Sequence, residues 1–316
     1  MQSRLGERMN TILDRIEYKI LAIIIEAKQP ISHSEIAYRL GCSLEEVDKT
    51  CKVLYERKLL YNGMITESGK HVLNTYRVKK AVFLAAGFGS RMVPVTLNTP
   101  KPLVRVNGRR LIDGLLDACL DVGIEEIYIV RGYLGEKFDE LLVKYPMIKF
   151  IDNPFYNQAN NISSALLVKN LLSNAYVLEA DLLLNNPKII TKYHYRSNFL
   201  AIKKEKTDDW CFEVTDGVIT EEKIGGINTW QMVGISYWNK EDGLRLSEDI
   251  RKAYELPNGK NYYWEQVPLN VYKDHYKVLI RECSENDIVE LDTFEELKQI
   301  DTSYKRFMED NNEQTL

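Results

Sequence analysis

Short apolar runs of strand length alternate with amphipathic segments of helix length from Lys79 onward, and this alternation constrains the fold more than any other feature of the chain. The apolar runs predict strands at residues 80–85, 127–130, 148–152 and 175–180. The segments between them predict helices at residues 109–122, 134–144 and 160–171. Strands joined through helices of this length form βαβ units, whose strands run parallel and whose helices cover both faces of the sheet. We therefore expect an α/β domain with a mostly parallel sheet.

The pattern changes after Asn198, where strands and hairpins replace the alternation. Further strands are predicted at residues 199–203, 211–215 and 230–237, and closing helices at residues 240–255 and 293–305. Strands that follow one another through short turns pair antiparallel. The sheet is therefore expected to be mixed at its edge.

The first part of the chain has the pattern of a small helical module. Isoleucines at helical spacing from Ile12 onward predict a helix that ends before Pro30. A short second helix follows, capped by Ser32 or Ser34, and Gly41 makes the next turn. This part of the chain is therefore expected to have a core of its own.

A third helix and a tight hairpin complete the module. Ser43 and Glu46 form a capping box that opens a helix over residues 44–57, and Asn62-Gly63 favours a primed turn between two short strands. This order of helices and hairpin resembles a winged helix-turn-helix domain. We expect three parts: this module at residues 1–77, the α/β domain at 78–307 and a frayed tail at 308–316.

The charges of the third helix bear on whether the module binds DNA. This helix carries both signs of charge, at Glu45, Glu46, Asp48, Glu56, Lys49, Lys52 and Arg57. A helix that reads DNA gathers lysine and arginine for the phosphates, and the whole chain has a net charge of −4. DNA binding stays open, but docking or dimerisation is the favoured expectation.

The loop after the first strand of the α/β domain gives the strongest indication of chemistry. Gly87 and Gly89 let backbone N–H groups approach an anion, while Arg91 and Lys101 add cations that suit phosphate oxygens. A dinucleotide fingerprint would need a third glycine at Met92, and a P-loop would need Gly-Lys-Ser/Thr after four spacer residues. The loop therefore indicates a triphosphate site of neither type.

The complete string in this region resembles a known signature. Gly87-x-Gly89-Ser90-Arg91, then Pro94-x-Thr96, then Thr99-Pro100-Lys101-Pro102-Leu103-Val104 is similar to the signature of nucleotide-diphospho-sugar-type nucleotidyltransferases. The resemblance extends over residues 79–300. It implies a Rossmann-like α/β fold and the transfer of a nucleoside monophosphate from an NTP to a small phosphorylated acceptor.

Two aspartates look like the metal ligands of that family. Asp181 follows the predicted strand at 175–180, as the first metal-binding aspartate does, and Asp292 lies in a segment similar to the one that carries the second. Because Mg²⁺ is usually held by one or two carboxylates together with phosphates and water, the resemblance implies Mg²⁺ at these residues. Leu182 stands where a polar residue is common in such enzymes.

The resemblance also implies roles for the residues around the loop. It makes Arg91 and Lys101 the catalytic cations, which align and neutralise the phosphates. It places the nucleotide on Ala85, Ala86, Gly87, Gly89, Ser90, Tyr133, Asn161 and Ser164. The preference for CTP over other nucleotides rests on this likeness alone.

Several short runs narrow the resemblance to bacterial phosphocholine cytidylyltransferases. These runs are Asn160-Asn161 with the serines after it, Thr207–Trp210, Tyr262–Glu265 and Asp287–Asp292. The implied reaction forms CDP-choline and pyrophosphate from CTP and phosphocholine. The implied acceptor site consists of Trp210, Tyr263, Trp264 and Glu265, since aromatic faces beside a carboxylate suit a quaternary ammonium.

Three other functions remain open at this stage. A phosphoethanolamine or aminoalkylphosphonate acceptor would need carboxylates more than aromatic faces, and a sugar 1-phosphate would need hydrogen-bonding side chains. A DNA-binding regulator could use the nucleotide-binding fold as a ligand sensor. The presence of Arg91, Lys101 and Asp181 argues against such a sensor.

Cysteine spacing and hydropathy indicate the compartment. The five cysteines are scattered without a CxxC pair, which fits reduced thiols rather than a disulfide framework or a zinc site. The longest apolar run, residues 20–25, is too short to cross a bilayer. We expect a cytoplasmic protein with no membrane insertion.

Overall fold

The structure, a computed structural model, describes residues 12–305. The described chain divides into two compact units. The first contains the residues up to Arg77 together with Tyr193–Tyr195, and the second contains Val78–Lys192 and the residues from Arg196 onward. The tail predicted at 308–316 lies outside the described residues.

The first unit has the predicted order of helices and hairpin. Its elements are α1 (Arg15–Ala27), α2 (His33–Leu40), α3 (Leu44–Glu56), β1 (Leu60–Tyr61), β2 (Met64–Ile65) and α4 (Glu67–Leu73). Ser32 caps α2, and both residues of the Asn62-Gly63 turn have positive φ. Ile20 and Leu21 of α1 pack in one core with Leu54 of α3. The winged-helix assignment itself stays a prediction.

The second unit is built on a seven-stranded sheet, whose strands lie side by side in the order Asn198–Thr215, Leu279–Cys283, Val218–Trp238, Ala175–Glu179, Lys80–Ala85, Glu126–Arg131 and Lys149–Asp152. Its first elements are β3 (Lys80–Ala85), the small hairpin β4 (Arg105–Val106) and β5 (Arg109–Arg110), α5 (Leu111–Asp121), β6 (Glu126–Arg131), β7 (Lys149–Asp152), α6 (Ile162–Val168) and β8 (Ala175–Glu179). Strands β7, β6, β3 and β8 are parallel neighbours. The predicted α/β fold, with a mostly parallel sheet, is confirmed.

The rest of the sheet is partly antiparallel, as expected for a mixed edge. Later elements are β9 (Leu182–Leu184), β10 (Asn198–Thr215), β11 (Val218–Trp238), α7 (Lys240–Glu255), β12 (Leu279–Cys283), β13 (Ile288–Glu290) and α8 (Phe294–Ile300). Strands β10 and β11 form a long irregular hairpin, and β11 joins the parallel strands through antiparallel pairing with β8. Strands β9 and β13 form a separate antiparallel pair that was not predicted.

Several helix predictions differ from the structure in length or type. Helix α7 has the predicted bounds, but residues 135–143 form a 3₁₀ helix in place of an α-helix. Helix α8 ends at Ile300, because the Asp301 side chain accepts hydrogen bonds from backbone N–H groups of Asn107 and Ser303 and holds the chain in another direction. Such tertiary contacts cannot be read from local periodicity.

Alternation along β3 explains why helices cover both sheet faces. Phe83 lies in the core beneath α5, whereas its neighbour Val82 lies in the core beneath α6 and α7. Successive strand side chains point to opposite faces, so both faces of this apolar strand are buried. Because β3 and β8 are parallel neighbours, their carboxyl ends are adjacent and open to one cleft.

Among residues 12–305, no helix is long and apolar enough to span a membrane.

Candidate active site

The carboxyl ends of β3 and β8 open into a cleft of about 340 Å³. Parallel strands place ligand sites at this end of the sheet. The cleft is lined by most of the residues that the sequence analysis singled out, namely Ala85, Ala86, Gly87, Gly89, Ser90, Arg91, Lys101, Asn161, Ser164, Asp181 and Asp292. Residues separated by up to 207 positions in the sequence are thus brought together in one cavity.

The loop that contains Gly87 and Gly89, called the glycine loop below, has a backbone conformation at Gly89 that residues with side chains rarely adopt. Gly89 has a φ of +67°, and a methyl group there would lie 3.0 Å from the Lys101 Cβ atom. The Thr96 hydroxyl donates a 2.9 Å hydrogen bond to the Gly89 carbonyl. These contacts fold the loop against the segment that carries Lys101, so the backbone of Gly87 and the ammonium of Lys101 line the same cleft.

Lys101 is the central charge of the cleft. Its Nζ atom lies 2.7 Å from Asp181 Oδ2 and 2.9 Å from Asp292 Oδ1, and the residue is only 8% exposed. Burial disfavours the charged ammonium, but the two carboxylates outweigh that effect and hold the pKa of Lys101 above its usual value. Arg91, which is largely exposed, donates a 2.8 Å hydrogen bond to the same Asp292 oxygen.

The small β9–β13 pair brings the two aspartates together. Leu182 pairs with Glu290 across this ladder, and the Leu291 N–H donates to the Asp181 carbonyl. As a result, carboxylate oxygens of Asp181, Glu290 and Asp292 lie within 4.8 Å of one another. The apolar Leu182 is buried in the core beside this ladder.

This group of three carboxylates, from Asp181, Glu290 and Asp292, has the composition of a site for a divalent cation. Asp181 Oδ1 is buried and has no hydrogen-bond partner among the described residues, so it is available as a ligand. Burial and the neighbouring Glu179, Asp181 and Asp292 carboxylates raise the pKa of Glu290 to about 9. A bound cation would reverse that shift, because it favours the ionised carboxylate. The three residues have the oxygen ligands that Mg²⁺ prefers.

The start of α6 and Asn153 also contribute to the lining of the cleft. Asn153 is buried and donates from Nδ2 to the hydroxyls of Ser163 and Ser164, at 3.0 and 2.9 Å.

Tyr133, predicted to contact the nucleotide, lies beside the glycine loop instead of among the residues that line the cleft. Its ring centroid is 4.3 Å from that of Phe88, and its hydroxyl donates to the Leu97 carbonyl.

Asn161 connects the cleft with the predicted acceptor residues. Its Oδ1 atom accepts a 2.7 Å hydrogen bond from the Trp264 N–H, and its side chain partly offsets the rise in the pKa of the neighbouring Glu265. Because this amide is engaged by residues 264 and 265, it positions that segment at the rim of the cleft. A role in base recognition remains a prediction.

The predicted acceptor residues separate into two environments. Trp210 is half-buried and contacts the exposed Tyr263 edge-on, with ring centroids 5.5 Å apart. Trp264 is 3% exposed and packs in the core, 6.0 Å from Phe199 and 5.9 Å from Trp238 between ring centroids. The structure therefore places Trp264 with the core aromatics and leaves Trp210 and Tyr263 as accessible faces. Glu265 is buried beside Trp264.

The sequence analysis did not assign two acidic residues that belong to this site. Glu179 lines the cleft, and Glu290 joins the carboxylate group. Each precedes a predicted metal aspartate by two positions, in Glu179-x-Asp181 and Glu290-x-Asp292. In extended chain, residues two apart share a face, so this repeated spacing was the available signal.

Comparison with known proteins finds relatives that are all named as nucleotidyl or cytidylyl transferases. A family model described as Nucleotidyl transferase matches residues 80–227. A 2-aminoethylphosphonate cytidylyltransferase from Lancefieldella rimae is 35% identical over 228 residues, which cover 71% of this chain and 92% of that protein. A choline-phosphate cytidylyltransferase from Streptococcus pneumoniae is 33% identical over 235 residues, covering 72% and 98% of the two chains.

A solved structure agrees with these similarities. The CTP:phosphocholine cytidylyltransferase from Streptococcus pneumoniae superimposes with a TM-score of 0.65 at 31% identity, covering 72% of this chain and 99% of that one. These relatives match 71–72% of this chain at similar identity, but the acceptors in their names differ.

Proposed function

This chain belongs to the nucleotidyl transferase family, and we propose that it transfers the cytidylyl group of CTP to a small phosphate or phosphonate that also carries a cationic amino group. The observation that carries this proposal is Lys101, held between two carboxylates in a cleft that the glycine loop also lines. The names of the relatives support CTP as the donor.

The reaction needs alignment and charge neutralisation more than acid–base chemistry. An oxygen of the acceptor's phosphate or phosphonate attacks the α-phosphorus of CTP, the bond from that phosphorus to the bridging oxygen breaks, and pyrophosphate leaves. The attacking dianion is already a nucleophile at neutral pH. Arg91 and Lys101 offset the negative charge of both reactants, and the backbone of Gly87 and Gly89 binds the phosphates.

We also propose Mg²⁺ as the cofactor, held by Asp181, Glu290 and Asp292. When bound there, it would neutralise phosphate charge and orient the triphosphate. The protein contributes the β9–β13 ladder that fixes the spacing of these carboxylates, and Lys101 that contacts two of them.

Phosphocholine, which the sequence led us to expect, is one acceptor of the proposed class. Its support is the accessible Trp210–Tyr263 pair, which could contact a quaternary ammonium, and the choline-phosphate relatives. The aminoethylphosphonate relative supports a primary amine instead. The buried position of Trp264 removes one face from the predicted aromatic site.

A pyrophosphate-release assay tests the donor and the acceptor class together. The full chain would be assayed with each of CTP, UTP, ATP and dTTP against phosphocholine, phosphoethanolamine, 2-aminoethylphosphonate and glucose 1-phosphate. We expect turnover with CTP and an amino acceptor, at least about 100-fold faster than with glucose 1-phosphate. Turnover that is fastest with a sugar phosphate would contradict the proposal.

For the first unit we propose a winged-helix module that docks to protein rather than reads DNA. The exposed side of α3 carries acidic residues, at Glu45, Glu46, Asp48 and Glu56, beside Lys49 and Lys52. Such a face repels the phosphate backbone. A mobility-shift titration at about 0.1 M salt should detect no complex with duplex DNA. A specific, salt-dependent complex would contradict this assignment.

A further inference from the structure

Two buried glutamates each have one oxygen that no group in the described part of the chain satisfies. Glu222 lies on β11, and Glu265 lies just before a π-helical turn at Val267–Val271. They are 5% and 3% exposed. Glu222 Oε1 and Glu265 Oε2 have no hydrogen-bond partner among residues 12–305, although the other Glu222 oxygen accepts a 2.9 Å bond from Asn270. Buried carboxylate oxygens of this kind need a proton or a cation.

Within the described part of the chain, no cationic side chain fills that need. Burial, together with the Glu222 carboxylate, raises the pKa of Glu265 to about 8, and burial raises that of Glu222 to about 7. No lysine, arginine or histidine contributes to either shift. The two carboxylates therefore repel each other in a place that the rest of the described chain leaves uncompensated.

The space beside Glu265 has the size of one small polar group. Glu265, Glu179, Gly234, Met232 and Trp264 contribute to the walls of a void of about 10 Å³. A cavity of that size holds about one water molecule, which is close to the volume of an –NH₃⁺ group. A trimethylammonium group is several times larger. The Glu179 carboxylate packs closely against Gly234, since a methyl group at that position would lie 2.2 Å from Glu179 Oε2.

This void adjoins the reaction centre. Glu179 lines both the void and the large cleft, and Asn161, which also lines the cleft, accepts a hydrogen bond from the N–H of Trp264, the residue before Glu265. An acceptor whose phosphorus group lies near Lys101 would therefore extend its other end toward Glu179 and Glu265. The site therefore presents carboxylate oxygens where the acceptor's cation would lie, and a bound cation would favour their ionised form.

We propose that the acceptor's cation is a primary ammonium, bound between Glu179 and Glu265 with Glu222 behind them, so that the protein prefers primary-amine acceptors over phosphocholine. This inference rests on the proposed function. A primary ammonium supplies three N–H donors to the unsatisfied carboxylate oxygens. Trimethylammonium supplies none and depends on aromatic faces, of which Trp264 is held in the core.

The first experiment compares the two head groups on the unaltered full chain. We would measure kcat/KM with saturating CTP for phosphoethanolamine and for phosphocholine, which differ only in the methyl groups on nitrogen. Phosphoethanolamine should be preferred by about tenfold or more, because a site built for N–H donors rejects the analogue without them. This comparison needs no variant and does not depend on how any substitution folds.

The second experiment uses substitutions around the void. Glu265→Gln and Glu222→Gln should each lower kcat/KM for phosphoethanolamine by about tenfold or more, and by more than they lower it for phosphocholine, with little change in the KM for CTP. Gly234→Ala removes no charge, but its methyl group would displace the Glu179 carboxylate, so it should reduce phosphoethanolamine turnover as well. Glu221→Gln is the matched control, since Glu221 is exposed and next to Glu222.

The outcomes separate this inference from the proposed function. Preference of the unaltered chain for phosphocholine, or an unchanged preference in both glutamine variants, would overturn the inference and leave cytidylyl transfer intact. Absence of pyrophosphate release from CTP with every amino acceptor would overturn the proposed function itself.

Discussion

Replacing Lys101 with alanine should lower kcat by about 100-fold or more at saturating CTP and Mg²⁺, because one buried cation facing developing phosphate charge stabilises the transition state by about 3 kcal/mol. Lys101 is buried and makes 2.7 and 2.9 Å contacts with Asp181 and Asp292. Steady-state kinetics, with thermal unfolding to confirm the fold, would measure the effect.

A purely structural role for Lys101 gives a different result. The substitution leaves two carboxylates close together without their cation, so it should tighten metal binding. If the lysine only neutralised those carboxylates, excess Mg²⁺ would restore kcat, and that recovery would contradict a catalytic role. Arg91→Ala is the comparison variant. Since Arg91 is largely exposed, its loss should raise the KM for CTP more than it lowers kcat.

Removing the divalent cation with EDTA should abolish activity, and Asp181→Asn should lower kcat/KM by about 1,000-fold even after Mg²⁺ is restored. The Oδ1 atom of Asp181 is buried and has no hydrogen-bond partner among the described residues. Carboxylate oxygens of Asp181, Glu290 and Asp292 lie within 4.8 Å of one another, close enough to share one cation. Asp292→Asn should act in the same direction. Activity measured across a Mg²⁺ titration would show both effects.

Glu295→Gln serves as the matched control for these aspartate variants. Glu295 is exposed on α8, three residues after Asp292, and its carboxylate pairs only with Lys298 among the described residues. Its Mg²⁺ titration should match that of the unaltered chain. An Asp292→Asn variant with the same unchanged titration would show that Asp292 is an ion-pair partner of Arg91 and Lys101 and not a metal ligand.

The sequence predicted those parts of the fold that local patterns determine. The apolar run at 80–85 became β3, and the amphipathic pattern at 240–255 became α7 with the same bounds. The Asn62-Gly63 turn also formed where predicted. In each case the residues that set the structure lie within one element, so spacing alone carried the information.

Long-range contacts determined the parts that the sequence did not predict. The β9–β13 ladder joins segments about a hundred residues apart, and neither strand is long enough to show a period. Glu290 was therefore missed as a member of the carboxylate group. Trp264 illustrates the same limit, because Tyr263 and Trp264 are adjacent aromatics and only the fold decides which one is buried.

The ion pairs around Lys101 also decide what charge an incoming nucleotide meets. In the structure, Asp292 contacts both Arg91 and Lys101, and Asp181 contacts Lys101 again, so the two cations of the cleft already have internal counterions. A triphosphate must take those cations away from the aspartates, and the aspartates must then find replacement positive charge. Binding is thus an exchange of counterions, in which a nucleotide that arrives without a divalent cation gains little electrostatic attraction.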